Sequence, residues 1–286
     1  MILGALSLEM TRGNKYSTNH ITKKAGSPEF WDFCIDEFAR YDVPNSIDFV
    51  LDHTGATFLQ YVGFSQGTAQ AFAALSIHPE LNRKISTFVA LAPIMHPPGY
   101  ASRLLDYIIK KNPGIIFKFF GRRSMFPSVA FWQATLPTFV LHASMDFALV
   151  FLLGFQNHNI SSLQKRASYT HIYCSSSVKT VVHWAQIMRD ATFGTYQPIE
   201  PARTNVPLMP KYATQSIKTP MVLIYGGRDD LVAIDTIRER LPPGTRYLEL
   251  PNYEHIDVLW GNNVENDVIP HVLSALNSSK ADLLVR

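Results

Sequence analysis

Ser65 lies in the middle of residues 63–67, which read Gly-Phe-Ser-Gln-Gly. An apolar run over 57–62 precedes this pentapeptide and a helix-favouring run over 68–75 follows it, so the pattern predicts a strand, a sharp turn and a helix. In such a turn, called a nucleophile elbow, the flanking Gly63 and Gly67 allow close packing, and the strained backbone presents the serine hydroxyl at the positive end of the helix. Ser65 is therefore a candidate nucleophile, although the same pentapeptide also occurs by chance in turns without chemistry.

Two further polar side chains follow two later predicted strands. Asp229 comes after the apolar run 221–225, and His255 comes after the run 246–250. A serine hydroxyl needs a general base to take its proton, and an imidazole base needs a carboxylate that fixes its tautomer. We therefore predict Ser65 as nucleophile, His255 as base and Asp229 as acid, in the chain order of α/β-hydrolases.

The acid and the base each have an alternative. Asp230 adjoins Asp229 and is the second choice for the carboxylate. His271 is a weaker choice for the base because it lies well inside the helix that we predict over 262–276. An aspartate after a strand can also be an ordinary turn residue, so it is the agreement of three strand-end positions that favours acyl transfer.

The elements that must position these residues alternate between strands and helices. The strand, helix, strand order around Ser65 predicts a right-handed connection in a parallel sheet, and ligands of such sheets bind at the carboxyl ends of the strands. We predict an α/β fold with a mostly parallel sheet and an inserted helical cap. The predicted parts are residues 1–95, the first part of the core with the elbow; 96–196, the cap; and 197–286, the second part of the core with the acid and the base.

The predicted cap lacks the alternation of strands and helices. Short aromatic helices, such as those at 115–120 and 147–153, are separated by proline and glycine. We expect them mainly to pack on the domain beneath, with contact to lipid as the alternative. His183, on a predicted helix over 181–187, is interpreted as a core histidine rather than a ligand.

Two helices are predicted before the elbow. Ser27 and Pro28 have the residue types of an N-cap and a first helical position, so we expect a helix over 27–40. Residues 41–44, which end in a proline, should break it, and a second helix should cover 45–53.

Composition excludes several classes of function. The 286 residues are 47% hydrophobic and 17% charged, as in a globular protein rather than a disordered one. The net charge of +3 comes from scattered lysines and arginines, which argues against nucleic-acid binding but leaves binding to an anionic membrane surface open.

Cys34 and Cys174 lack the spacing of metal ligands, so we interpret them as structural thiols and expect no metal and no cofactor. Residues 1–9 lack the features of a signal peptide, and no apolar stretch is long enough to predict a transmembrane helix.

The sequence resembles the acid lipase family of α/β-hydrolases, which includes gastric and lysosomal acid lipases and fungal steryl ester hydrolases. The resemblance covers nearly the whole chain. It is carried by the elbow and by Arg12-Gly13-Asn14-Lys15-Tyr16-Ser17, Phe30-Trp31, Asp36-Glu37-Phe38, Tyr41-Asp42-Val43-Pro44, the stretch 174–186 with His183-Trp184, Gly226-Gly227-Arg228-Asp229 and the stretch 253–260. Phe64, where animal members have histidine, is more similar to the fungal branch. The resemblance implies the same roles for Ser65, Asp229 and His255, and steryl esters or triacylglycerols as substrates.

The N-terminus departs from this family. Its members begin with a long segment that carries the first strands and a His-Gly loop with one oxyanion-hole amide, whereas the match here starts at about Arg12. We therefore expect the first strands and the second oxyanion donor to be missing. The backbone amide of Gln66, which follows the nucleophile, is the donor that remains. Loss of one donor typically lowers turnover about 10²- to 10³-fold.

The combined prediction is a serine carboxylic-ester hydrolase that cleaves hydrophobic esters through an acyl-enzyme intermediate in lipid degradation. The surface of a lipid droplet or membrane is its expected partner, and an intracellular place is favoured over secretion because no signal peptide is recognised. Two alternatives stay open. One is an inactive relative that binds lipid surfaces without turnover, and the other is a hydrolase of small esters.

Overall fold

A single parallel sheet forms the centre of the fold. The computed structural model describes residues 11–125, 131, 135–156, 158–172, 175–199 and 210–284. Cys174 and residues 1–9, which carry two of the predictions above, lie outside the described residues. The strands, in their order across the sheet, are β1 Leu59–Phe64, β2 Ile85–Leu91, β3 Met221–Gly226 and β4 Arg246–Leu250. All three pairings are parallel, which confirms the predicted α/β class.

Helices cover both faces of this sheet and form the region between β2 and β3. They are α1 Ile35–Glu37, α2 Val43–Thr54, α3 Gln66–Ile77, α4 Leu81–Lys84, α5 Arg103–Lys111, α6 Ile115–Phe120, α7 Thr138–Leu153, α8 Ser162–Ile172, α9 Val178–Asp190, α10 Ile234–Arg240, α11 Asp257–Trp260, α12 Val264–Asp267 and α13 Ile269–Leu284. None of the described helices combines the length and the apolar character needed to cross a bilayer.

The register of the strands brings their carboxyl ends together. Phe64 at the end of β1 pairs with Leu91, Leu91 pairs with Ile224 in β3, and Gly226 pairs with Leu250 at the end of β4. Since the strands are parallel, the loops that follow them leave the sheet at one edge. The three predicted catalytic residues therefore start from the same edge.

The core lies on both faces of the sheet. Along β2, Phe88 and Ala90 belong to a cluster with α2 and α3, whereas Val89 and Leu91 belong to a cluster with α13. Successive side chains of a strand point to opposite faces, so β2 is buried on both sides, as expected in a parallel sheet covered by helices.

The segment before the elbow differs from the two predicted helices. Residues 27–34 contain turns and irregular backbone but no helix, and α1, a π-helical turn at Phe38–Asp42 and α2 then follow without interruption. The helix start predicted at Ser27 is wrong, because the helix begins after Cys34, whose backbone N–H donates to the Glu37 carboxylate at 2.7 Å. Pro44 does not break the helix. It lies in the first turn of α2, where the preceding π turn changes the hydrogen-bond pattern and a missing N–H costs little.

The described part of 96–196 consists of helices α5 to α9 and connecting segments, with no strand. These helices bury one side, for example Met145 and Leu149 of α7. They also leave aromatic side chains in solvent, since Phe119, Phe139 and Phe147 are 77%, 75% and 69% exposed. The expectation that the aromatic helices pack on the domain beneath therefore holds for one side of α7, whose Met145 and Leu149 cluster with Leu231 and Ile256. The helix α6 packs instead on α9 within the same region. The boundaries of the cap stay a prediction.

Candidate active site

The backbone at Ser65 is strained. Its φ of 51° and ψ of −121° are unusual for a residue with a Cβ. The turn is held by three hydrogen bonds: the Ser65 N–H donates to the Leu91 carbonyl at 3.0 Å, and the backbone N–H and hydroxyl of Thr68 donate to the Ser65 carbonyl at 2.9 and 2.6 Å. Ser65 is the N-cap residue of α3, so its side chain stands at the positive end of that helix.

Close packing at the elbow requires a glycine at one of the two predicted positions. A Cβ on Gly63 would lie 3.1 Å from the carbonyl carbon and oxygen of Gly67 and 3.0 Å from the ring of Tyr61. A Cβ on Gly67 would meet no atom within 4 Å outside its own helix. Steric contact therefore requires glycine at position 63, where β1 passes the first turn of α3, and not at position 67.

Ser65, His255 and Asp229 form one chain of hydrogen bonds. His255 Nε2 lies 2.7 Å from Ser65 Oγ, and His255 Nδ1 lies 2.7 Å from Asp229 Oδ2. The other carboxylate oxygen, Oδ1, accepts the backbone N–H of Leu231 at 3.0 Å. The side chains of His255 and Asp229 are 5% and 0% exposed. These hydrogen bonds are therefore shielded from water except at the half-buried Ser65. An imidazole held in this way can take a proton from the hydroxyl and give it to a leaving group.

The loops that carry the acid and the base are packed against each other. A Cβ on Gly226 would lie 2.1 Å from the carbonyl oxygen of Tyr253, so only glycine permits this approach. The N–H of Arg228 donates to the same carbonyl at 3.0 Å. The Tyr253 hydroxyl in turn donates to Asp267 at 2.7 Å, and burial, followed by this hydrogen bond, raises the pKa of Tyr253. The contact fixes the spacing between Asp229 and His255.

Asp257 holds the backbone around the base. Its Oδ2 accepts the backbone N–H of Glu254 at 2.8 Å and the side-chain amide of Asn159 at 2.7 Å. Asn159 also donates to the carbonyl of Asn252 at 2.9 Å. The residues before and after His255 are thereby tied to a side chain from the predicted cap. Sequence reasoning missed this role, because nothing in the spacing of Asn159 and Asp257 indicates that they meet.

Two apolar rings contact the imidazole. Phe155, which is 2% exposed, stacks on His255 with ring centroids 5.7 Å apart and an interplanar angle of 12°. Phe64 lies on His255 at 5.4 Å. Phe155 belongs to a buried cluster that joins α7 of the predicted cap to Leu231 and Ile256, the neighbours of the acid and the base. The helix α7 therefore packs on the loops that carry the site.

The Gln66 backbone N–H is a free donor beside Ser65. It is the first amide of α3, a position without an intrahelical partner, and none of the described residues accepts a hydrogen bond from it. The Gln66 side chain is fixed, since its Oε1 accepts the indole N–H of Trp184 at 2.9 Å. This contact with α9 was not predicted, although Trp184 lies in a segment that carries the family resemblance.

The alternative acid and base lie outside this arrangement. Asp230 and His271 are both exposed, and no hydrogen bond joins either of them to Ser65 or His255 among the described residues. Of the two candidates for each role, the geometry brings together Asp229 and His255.

A known family accounts for this combination of sheet and site. The family described as the alpha/beta hydrolase fold matches residues 11–262. The chain belongs to the alpha/beta hydrolase fold family. A probable lipase of Schizosaccharomyces pombe is 44% identical to this alpha/beta hydrolase over 272 residues, which are 93% of this chain and 61% of that relative. The chain thus spans about three fifths of the length of this fungal relative.

Animal relatives and a solved structure support the same family. Human gastric triacylglycerol lipase is 30% identical over 283 residues, which are 94% of this chain and 70% of that lipase. The acid lipase resemblance is therefore confirmed, and the fungal relative is the more similar of the two, as Phe64 indicated. An epoxide hydrolase variant from Bacillus megaterium superposes with a TM-score of 0.51 at 14% identity over 93% of this chain and 81% of that one, which supports the fold alone.

Proposed function

We propose that this chain is a serine carboxylic-ester hydrolase in which Ser65 is the nucleophile, His255 the general base and acid, and Asp229 the carboxylate that orients the imidazole. The observation that carries the proposal is the hydrogen-bond chain from Asp229 through His255 to Ser65, with 2.7 Å at both steps. The names of the relatives, a probable lipase and a gastric triacylglycerol lipase, support the same class of reaction.

The first half of the reaction forms an acyl-enzyme. His255 Nε2 takes the proton of the Ser65 hydroxyl as Oγ attacks the ester carbonyl carbon, and the carbonyl oxygen becomes an oxyanion. The free N–H of Gln66 donates to this oxyanion, and the positive end of α3 stabilises its charge. The imidazolium, balanced by Asp229, gives its proton to the alkoxide of the leaving alcohol as the carbon–oxygen bond breaks. The acyl group is then bound to Ser65 Oγ.

Water completes the second half. His255 Nε2 takes a proton from a water molecule whose oxygen attacks the acyl carbonyl, and a second oxyanion forms at the Gln66 N–H. Collapse of this intermediate breaks the bond to Ser65 Oγ, which recovers its proton from the imidazolium. The products are a carboxylic acid and an alcohol, and the enzyme returns to its starting state.

Long-chain lipid esters are the proposed substrates. The rings of Phe64 and Phe155 both contact the base, and the cluster of Leu231, Ile256 and α7 makes the surroundings of the acid and base loops apolar. An apolar environment favours a hydrocarbon chain over a small polar group. Steryl esters and triacylglycerols are both within this class, and the relatives' names include a triacylglycerol lipase and a cholesteryl ester hydrolase.

A lipid surface is the proposed place of action. The helices between β2 and β3 expose several large apolar side chains by 69% or more, namely Leu104, Phe119, Phe139, Phe147 and Leu163, and such side chains suit contact with lipid. Lipid esters are insoluble, so an enzyme that cleaves them must work at the surface of a droplet or membrane. The same exposed residues would serve an inactive relative that binds lipid without turnover.

A comparison of chain lengths and variants tests the proposal. Purified wild type and Ser65→Ala are assayed on triolein, cholesteryl oleate and p-nitrophenyl esters of short and long acyl chains. We expect turnover of the long-chain esters by wild type only. Equal rates for the two proteins would contradict the proposal, a strong preference for short chains would favour a small-ester hydrolase, and flotation with droplets without turnover by either protein would favour the lipid-binding relative.

A further inference from the structure

Cys34, Asp36 and His183 form a second cluster of reactive side chains, separate from the candidate active site. Cys34 precedes α1, Asp36 lies within it, and His183 lies on α9. One potential ligand atom from each residue lies within 4.8 Å of the others. Cys34 and His183 are both 0% exposed. The ester hydrolysis proposed above uses none of these three groups.

One of the two ring nitrogens of His183 has a hydrogen-bond partner. Its Nε2 lies 2.8 Å from the carbonyl oxygen of Gly194, and because a carbonyl only accepts, Nε2 carries the hydrogen. Its Nδ1 is fully buried and makes no hydrogen bond to any described residue. Buried polar atoms are nearly always paired, so this bare lone pair, on a histidine that clusters with a thiol and a carboxylate, indicates a missing partner such as a bound ion.

Neighbouring residues hold two of the three groups, Asp36 and His183, in place. Asp36 accepts the Tyr196 backbone N–H at 3.1 Å through Oδ2 and the Tyr212 hydroxyl through Oδ1, and each oxygen keeps a further lone pair. Histidines that bind metals usually donate their second nitrogen to a carbonyl or carboxylate, and carboxylates that bind metals are themselves hydrogen-bonded. Both features are present here.

We propose that Cys34 Sγ, Asp36 and His183 Nδ1 bind a divalent cation of the zinc class. Zinc takes thiolate, imidazole and carboxylate ligands at about 2.0–2.3 Å, which places tetrahedral ligand atoms roughly 3.3–3.8 Å apart. Ligand atoms no more than 4.8 Å apart would have to close by about 1 Å to meet that geometry. Cys34 releases its thiol proton to solvent on binding, and the two negative charges of the thiolate and carboxylate balance the charge of the ion.

The ion would join two parts of the chain that are far apart in sequence. Cys34 and Asp36 stand at the start of the helix before the elbow, and His183 stands next to Trp184, whose indole N–H holds the Gln66 side chain. A bound ion would therefore fix α9 against α1 and stabilise the hydrogen bond between Trp184 and Gln66. Sequence spacing gave no sign of it, since His183 lies far from Cys34 along the chain.

Metal content tests this proposal without an activity assay. The protein is produced in zinc-supplemented medium, desalted, and measured by inductively coupled plasma mass spectrometry. We expect about one zinc ion per chain in the wild type and in Cys174→Ser, which removes the other thiol. Cys34→Ser and His183→Gln should retain less than a tenth of that amount. Wild type without zinc, or Cys34→Ser with as much zinc as the wild type, would overturn the proposal.

A second measurement uses wild-type protein alone, in case the buried variants do not fold. Chelator-treated protein is titrated with Co²⁺, and absorption is recorded. We expect a saturable thiolate-to-cobalt charge-transfer band that zinc abolishes, together with a melting temperature raised by roughly 5 °C at 100-fold excess over the dissociation constant. No band and no shift would overturn the proposal. Because neither readout involves turnover, its failure is distinguishable from failure of the hydrolase proposal.

Discussion

Replacing Asp229 with asparagine changes the hydrogen-bond chain at one atom. The asparagine keeps the size of the side chain, and its amide oxygen can still accept the Leu231 N–H that now lies at 3.0 Å. The amide nitrogen then faces His255 Nδ1 at the position of Oδ2, 2.7 Å away. Because that nitrogen can only donate, Nδ1 must accept and the ring hydrogen moves to Nε2. Ser65 then faces a donor where it needs a base.

We expect Asp229→Asn to lower kcat/KM about 10³- to 10⁴-fold, because a substitution that forces the wrong histidine tautomer has an effect of this size in serine hydrolases. This loss corresponds to about 4–5.5 kcal/mol of transition-state stabilisation. KM should change little, because the carboxylate does not contact substrate. The fold should persist, since at most one hydrogen bond worth about 1 kcal/mol is lost. Initial rates on a soluble p-nitrophenyl ester give the kinetic constants, and thermal unfolding gives the stability.

Asp230→Asn is the matched control. Asp230 adjoins Asp229 but is exposed, so its variant should keep kcat/KM within about twofold of the wild type. Loss of activity in Asp230→Asn with retention in Asp229→Asn would refute the assignment of the acid. Equal, small effects of both variants would refute the hydrogen-bond chain as the source of catalysis.

Three further predictions concern residues that support the site. Asn159→Ala removes the amide from Asp257 and should lower kcat roughly tenfold by loosening the His255 loop; Asn266→Ala is the control, and equal kcat in the two variants would contradict the role of the Asn159 contact. Trp184→Phe removes the 2.9 Å bond to Gln66 and should lower kcat roughly fivefold; in a double-mutant cycle with Gln66→Ala the effects should not add, and full additivity would argue against the contact. Gly226→Ala forces a Cβ to within 2.1 Å of the Tyr253 carbonyl and should destabilise the fold by about 3 kcal/mol in urea unfolding, unlike Gly26→Ala, which meets open space.

Local patterns predicted much of the fold and the residues that the structure brings together in the candidate site. The four strands were recognisable because each is a short apolar run, and their ends placed Ser65, Asp229 and His255 on one edge of the sheet. The choice of Asp229 over Asp230 was open in the spacing alone. The structure favours Asp229, because its buried carboxylate lies 2.7 Å from the imidazole, whereas Asp230 is exposed.

Contacts between distant segments could not be predicted. Asn159 meets Asp257, and Trp184 meets Gln66, only because α7 and α9 pack over the loops of the sheet, and neither packing leaves a periodic signal. Pro44 was misinterpreted for a related reason. A proline after a polar turn usually ends a helix, but here a π turn carries the helix past it. The helix begins after Cys34 because the Glu37 carboxylate accepts the Cys34 backbone N–H. The sequence pattern predicted the start at Ser27 instead, because Ser27 and Pro28 have the residue types that usually begin a helix.

Covalent labelling shows directly whether Ser65 is a nucleophile activated by His255. The wild type, Ser65→Ala and His255→Ala are incubated with a fluorophosphonate, which reacts with serines activated by a base, and the adduct is located by intact mass and peptide mapping. We expect one adduct on Ser65 in the wild type, none in Ser65→Ala, and a rate of labelling at least about 10³-fold lower in His255→Ala. A wild type that remains unlabelled, or that is labelled equally fast without His255, would contradict this expectation.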